Sequence, residues 1–297
     1  MSGHSLDRRQ ALGSILVGST AVALGGSALA APTKRILFFT KSSGYEHSVI
    51  SHKKSKLGFA EQRLIELGKK HGFTVEATKD GRVFDGDLHQ YDGFAFYTTG
   101  DLTSPGNDRQ PPMTPKGKAA LLSAVRSGKG FIGFHCASDS FHAKGKREEN
   151  QSGSQIDPYI RMLGGEFIRH GRQQKATMRV ADPKFPGIEP AGSSFVMHEE
   201  WYALKNFAPD LHVILVNETA GMVGDVYQRP PFPSTWARAH GKGRVFYTAM
   251  GHREDVWTNE IFESLVLGAL RWTTGQVDAD VTPNIRRVTP DAWVLKK

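Results

Sequence analysis

Four short apolar runs, residues 34–40, 73–78, 91–98 and 130–134, are separated in this chain by helical patterns and by turns rich in Gly, Asp and Pro. Between the first two, Leu57, Ala60, Leu64, Ile65 and Leu67 recur at helical spacing among Lys, Glu and Gln, and Gly72 closes the helix. Ahead of the fourth run, Thr114-Pro115 supplies a capping hydroxyl and a proline at the first helical position, with Leu121, Leu122 and Val125 on the buried side. Strand alternating with helix restricts the chain to an α/β fold, a mostly parallel sheet with helices on both faces. In such sheets ligands collect beyond the carboxyl ends of the strands, so the residues found there are the ones to weigh.

After residue 136 the alternation weakens. Residues 144–155 read as a polar loop, 159–163 as a short helix, and 175–180, 194–197 and 211–216 as strands. Residues 236–240, turning at 241–243 into 244–250, have the pattern of a hairpin. A last helix carries Ile261, Phe262, Leu265, Val266, Ala269, Leu270 and Trp272, and residues 276–297, with two prolines, read as an extended tail. Three parts follow: residues 1–30, a domain over 31–275, and the tail.

Residues 1–30 have the layout of an export signal. Arg8-Arg9 precedes a weakly apolar run that is too short and glycine-rich to span a membrane, and Ala28-Leu29-Ala30 offers small residues for cleavage. The paired arginines point to the twin-arginine route, hence to a periplasmic or secreted protein without a stable membrane anchor once the signal is removed. A single cysteine excludes an intrachain disulfide. The formal charge of +8 is spread along the chain in no longer block than a pair of lysines, which argues against nucleic acid as a partner. No GxGxxG or GxxxxGK[ST] loop occurs, so no nucleotide is expected.

Four places set a polar or metal-binding residue just past an apolar run: His47, His135 with Cys136, His198-Glu199-Glu200-Trp201-Tyr202, and Gly251-His252-Arg253-Glu254. Imidazoles and carboxylates meeting in one crevice suit a divalent metal, zinc first. Each also has a plainer reading. A single loop histidine is commonly a solvated side chain, a free cysteine commonly a small buried hydrophobe, and no HExxH or CxxC spacing occurs.

Three motifs in order carry a family resemblance: residues 128–141 with His135 and Asp139, the His198-Glu199-Glu200-Trp201-Tyr202 element, and residues 241–252 ending at His252. Over about residues 34–274 the chain resembles the trehalose-utilisation (ThuA-like) family. The resemblance implies a flavodoxin-like, class I glutamine-amidotransferase-like architecture and action on a sugar, keto-sugar or glycoside. Amidotransferases of that superfamily place a nucleophilic cysteine two residues after a glycine. Here Gly133 is followed at that position by His135, and Cys136 falls one place later, so the nucleophile's role does not carry across. Carried over residue by residue, His135 and His252 become the central polar pair and, with Glu200, the candidate metal ligands. Glu200 is a ligand or general base and His47 a substrate or ligand contact. Asp139, Trp201 and Tyr202 would shape a sugar pocket, with aromatic faces against the ring. Where the family often has Asp before its Glu-Trp-Tyr element, this chain has Glu199. The readings left open are metal- or His/Glu-assisted cleavage or rearrangement of a small carbohydrate, a Cys136-dependent amidotransferase-like hydrolase, and a non-catalytic sugar-binding protein.

Overall fold

The computed structural model describes residues 33–52 and 56–296, and the expected export signal lies outside them. In chain order the elements are β1 (Lys34–Phe39), α1 (Phe59–Lys70), β2 (Phe73–Thr78), β3 (Gly93–Phe96), α2 (Pro115–Arg126), β4 (Gly130–Phe134), α3 (Pro158–Leu163), β5 (Glu166–His170), β6 (Gln174–Val180), β7 (Ser194–Glu199), β8 (Tyr202–Lys205), β9 (His212–Glu218), β10 (Phe232–His240), β11 (Gly243–Thr248), α4 (Glu254–Trp257), α5 (Glu260–Thr273) and α6 (Ile285–Val288). Nine strands form one sheet in the order β2-β1-β3-β4-β11-β10-β9-β6-β7, while β5 and β8 pair separately.

From β2 to β11 all pairings are parallel, and from β11 to β7 all are antiparallel. The sheet is therefore mixed where the alternation alone predicts a mostly parallel one. Among the described residues no α-helix lies between Leu163 and Glu254, so the strands of that stretch lack the helical crossover that a parallel neighbour needs. β10 and β11 are joined through only Gly241 and Lys242, which forces the antiparallel arrangement.

The strand order reverses at β1. The connections from β1 to β2 through α1 and from β3 to β4 through α2 step in opposite directions, so right-handed crossovers put the two helices on opposite faces. The crevice at such a reversal opens beyond the carboxyl ends of β1 and β3. β3 and β4 are buried along their whole length, as is β1 from Ile36 to Phe39. Each fully buried Phe of this layer contributes about 2 kcal/mol relative to exposure, and Phe96 locks onto Phe131 with ring centroids 5.0 Å apart. α2 starts where the capping signal places it, with Thr114 Oγ1 accepting from Gly117 N at 2.9 Å.

Residues 276–296 pack back onto this domain and include α6 where extended chain is expected. The Asn284 side chain accepts from Val213 N at 2.7 Å and donates to Val213 O at 3.1 Å, standing in for a neighbouring strand. The buried Arg229 guanidinium donates to Leu204 O (2.7 Å) and to Ala292 O (2.5 Å) in the last turn. Burial with no facing carboxylate lowers the pKa of Arg229 to about 10.

Candidate functional site

Four chain segments meet at the carboxyl ends of the parallel strands. The loop after β1 carries His47, held against a single 3-10 turn, Ser48–Ile50. β4 ends at His135, which opens the 3-10 turn His135–Asp139. Glu200 follows β7, and the segment after β11 turns at Gly251, φ +120°, into His252. His135 has φ +41°, in the left-handed region that non-glycine residues occupy at a cost of about 1–3 kcal/mol and mainly at functional sites. Its carbonyl accepts from Tyr247 Oη at 2.7 Å, which holds the strained turn in place. The side chain at this strand-to-turn corner is an imidazole. Cys136, one residue on, is fully buried, and burial pushes its thiol well above the usual range, so the reactive thiolate is disfavoured there.

One donor atom from each of His47, His135, Glu200 and His252 lies within 4.8 Å of the other three. His135 Nε2 is 3.3 Å from His252 Nδ1 and 3.6 Å from Glu200 Oε2, and His252 Nδ1 is 3.1 Å from the same oxygen. Donors around a tetrahedral zinc with bonds of about 2.05 Å sit roughly 3.3 Å apart, so this triangle has the edge lengths of a coordination face. His135 Nδ1 lies 2.8 Å from Ala249 O, and donating its proton to that carbonyl leaves the Nε2 lone pair facing the cluster. The Nδ1 atom of His47 is buried without a hydrogen-bond partner, and its Nε2 is 3.4 Å from Tyr202 Oη. A buried nitrogen of this kind is costly unless something completes it.

The charge state suits cation binding. Burial, reinforced by the neighbouring His135 and His252, holds the His47 pKa well below the usual imidazole range, and burial lowers that of His135 as well. Both rings are therefore neutral at pH 7, the form that ligates metal. Burial works against the Glu200 carboxylate, but the adjoining His135 and His252 side chains outweigh burial and hold its pKa far below the ordinary range. Glu199 turns away from the donor triangle. One oxygen accepts from Gly251 N (2.6 Å) and His252 N (2.7 Å) and the other from Glu200 N (2.9 Å), so one buried carboxylate positions two of the cluster residues. Burial raises its pKa to about 7 despite those N–H groups.

Three residues expected to shape a sugar pocket lie outside the donor set. Trp201 is fully buried and its Nε1 donates to Gln174 O, at the start of β6, at 3.1 Å. Tyr202 is buried, with its ring centroid 4.0 Å from those of both His135 and Phe167. Asp139 stands apart from the donor set and pairs with His142 (2.8 Å) and Arg147 (2.9 Å), anchoring the polar loop that follows. Residues not singled out by sequence complete the surroundings. His170 Nδ1 is 3.4 Å from Glu200 Oε1, its ring is stacked on Tyr202, and the Gln173 amide is 3.0 Å from His252 Nε2. His170 closes β5, where only Phe167 and Ile168 are apolar, so the sequence carries little signal that could have marked it.

A crevice of this kind, with imidazoles and an ionised carboxylate converging at the strand ends, defines an α/β protein with a candidate divalent-metal centre. The chain belongs to the ThuA family, described as trehalose utilisation, whose model matches residues 35–273. In fold it is similar to a ThuA-like protein from Bacteroides uniformis, with a TM-score of 0.62 at 20% identity over 84% of this chain and 94% of that one. It is also similar to a ThuA-like protein from Parabacteroides merdae, with a TM-score of 0.54 at 17% identity over 85% and 95% of the two chains. None of the curated proteins matches it.

Proposed function

We propose that this chain is an exported carbohydrate-active enzyme. On this reading His135, His252 and Glu200, with His47 as a fourth donor, hold a divalent metal, zinc first, and the site cleaves or rearranges a sugar, keto-sugar or glycoside. The observation that carries the reading is the convergence of one donor atom from each of those four residues within 4.8 Å. The family description, trehalose utilisation, supports a small carbohydrate as the ligand. The pattern of residues 1–30 supports export to the periplasm or beyond. The reversal of strand order beside the crevice supports a flavodoxin-like, class I glutamine-amidotransferase-like arrangement of the parallel half.

A bound divalent ion supplies Lewis acidity toward a sugar oxygen. The chain's own residues do the rest. The neutral rings of His47 and His135 and the ionised Glu200 present lone pairs toward one point, and Glu199 fixes the backbone of Glu200 and His252. Glu200 and His252 are the members that retain side-chain contact with solvent, and so lie where a substrate enters. The Cys136 reading is disfavoured, since a nucleophile needs access that this thiol lacks.

The test is elemental analysis of the purified exported protein together with turnover assays on 3-keto-glycosides and their parent glycosides. Stoichiometric divalent metal with turnover that chelation abolishes is the expected result, and absence of both metal and turnover overturns the reading.

A further inference from the structure

Among the described residues, the large hydrophobic side chains left exposed are Tyr45, Val196, Val223 and Val294, and Tyr45 is the one beside the cluster. Tyr45 is 68% exposed, with its ring perpendicular to that of His47 and 5.0 Å from it between centroids. The His47 ring in turn lies 5.2 Å from that of His252, so a single side chain separates this exposed aromatic from the donor triangle.

The backbone beneath Tyr45 is held from several directions. Its carbonyl accepts from Thr99 Oγ1 at 2.9 Å, and Gly44 O accepts from Asn107 Nδ2 at 2.7 Å. Upstream, Ser42 N donates to Asp108 at 2.6 Å, and Lys41 Nζ forms a wholly buried ion pair with the same carboxylate at 3.1 Å. The backbones around Gly44, Gly100 and Gly106 also pack closely, since a Cβ on Gly100 would fall 2.6 Å from Gly44 N and one on Gly106 would fall 2.3 Å from Ser42 O. An apolar ring exposed on a backbone this fixed resembles a preorganised contact surface, because its ordering cost is already met in the free protein.

Three residues further on, Ser48 borders an open depression of about 460 Å³ shared with Gln173, His252 and Arg253. That volume falls within the range of about 300–1,000 Å³ typical of small-molecule sites. Its lining is hydroxyl, amide, imidazole and guanidinium together with the carboxylates of Glu254 and Asp255, all groups that bond to hydroxyls. An apolar ring at one border of His47 and polar groups at another match a pyranose, which carries one C–H face and a rim of hydroxyls.

We propose that Tyr45 is the stacking platform of this site, taking the C–H face of a pyranose unit while the sugar's polar edge meets the His47–His252 side of the cluster. The inference rests on the carbohydrate reading above and replaces Trp201 and Tyr202 as the aromatic surface. The test is calorimetric binding of trehalose, maltose, methyl α-glucoside and a 3-keto-glucoside to the metal-loaded protein and its Tyr45→Ala, Tyr45→Phe and Tyr45→Trp variants. Melting temperature and metal content serve as fold controls. The expected result is a loss of at least tenfold in saccharide affinity in Tyr45→Ala, with both controls unchanged. Tyr45→Phe and Tyr45→Trp should bind within about threefold of wild type, and the introduced indole should change its fluorescence on binding. Saccharide binding by Tyr45→Ala within twofold of wild type overturns the platform while leaving the carbohydrate reading standing. No saccharide binding by the wild-type protein overturns both.

Discussion

His135 Nε2 and His252 Nδ1 lie 3.3 Å apart although 117 residues separate them in the chain. They face each other because β4 and β11 are adjacent parallel strands, with Phe134 in register with Thr248, so the segments leaving both strands open into the same crevice. That separation matches the edge between two donors of one tetrahedral ion, so a shared cation can take both nitrogens as ligands.

Removing a metal from this centre should therefore lower stability. A ligand present at 100 times its Kd contributes about 2.7 kcal/mol, which for a domain of this size corresponds to a fall of roughly 5–10 °C in Tm on chelation. Single His135→Ala and Glu200→Gln variants should show sub-stoichiometric metal by mass spectrometry and lose the chelator-sensitive part of the transition. A chelator-insensitive Tm in a protein carrying metal would contradict this.

Glu199→Gln should disturb the centre without removing a donor. The replacement amide sets an NH₂ group against backbone N–H donors of Glu200, Gly251 or His252, and leaving such a group unsatisfied costs about 1–3 kcal/mol. Metal affinity should fall about 10–100-fold, as for other groups that orient a ligand. Titration with a fluorescent zinc competitor measures it.

The single thiol gives a simple discriminator. Cys136 is fully buried and its pKa is raised well above the usual range by burial, so iodoacetamide at pH 7 should label it only on the timescale of unfolding. Cys136→Ala should retain activity and lose about 1 kcal/mol in denaturant melts. Rapid native labelling, or loss of activity in this variant, would restore the thiol-dependent reading.

The C-terminal segment should respond to pH through His212. Its Nδ1 lies 2.7 Å from Thr282 O and its Nε2 2.9 Å from Asp182 Oδ2. Burial opposes the charge on both partners, but their mutual hydrogen bond outweighs it, raising the His212 pKa and lowering that of Asp182. The histidine's contribution is complete below its unfolded value of 6.5 and is lost as pH rises through the raised folded value. The aspartate's is complete above 3.8 and is lost as pH falls through the lowered one. The clamp is thus tightest between those two values. Wild type should lose on the order of 1 kcal/mol relative to His212→Gln between pH 6 and 9, read from paired urea melts.

Arg229→Met should loosen the same segment from its other end. The variant leaves Leu204 O and Ala292 O without their buried donors, at a cost of about 2–4 kcal/mol. Limited proteolysis should cut within residues 285–296 of the variant before any cut in wild type.

Local features of the chain are legible in the amino-acid sequence alone. Thr114-Pro115 marks the start of α2 because capping and proline's fixed φ act within one turn. Gly133 and His135 mark a corner because the strand pattern stops there, and His47, His135, Glu200 and His252 each stand just past an apolar run. Apart from the β10–β11 pair, whose short turn at 241–243 is readable, the antiparallel half of the sheet is not legible, since β6, β7 and β9 choose partners by long-range pairing that no local pattern encodes. Trp201 and Tyr202 show the same limit: an aromatic after a strand reads equally as a sugar platform or as core, and their burial is visible only in the tertiary structure. His170 is harder to single out because β5 belongs to the small second sheet, whose approach to Glu200 depends on how the two sheets are placed. The sequence by itself determined which donor types stand at strand ends, because strand period and turn chemistry are short-range. Only the tertiary structure decided that four of them meet within 4.8 Å and that Tyr45 remains exposed beside them, because those distances follow from the order in which distant strands pair.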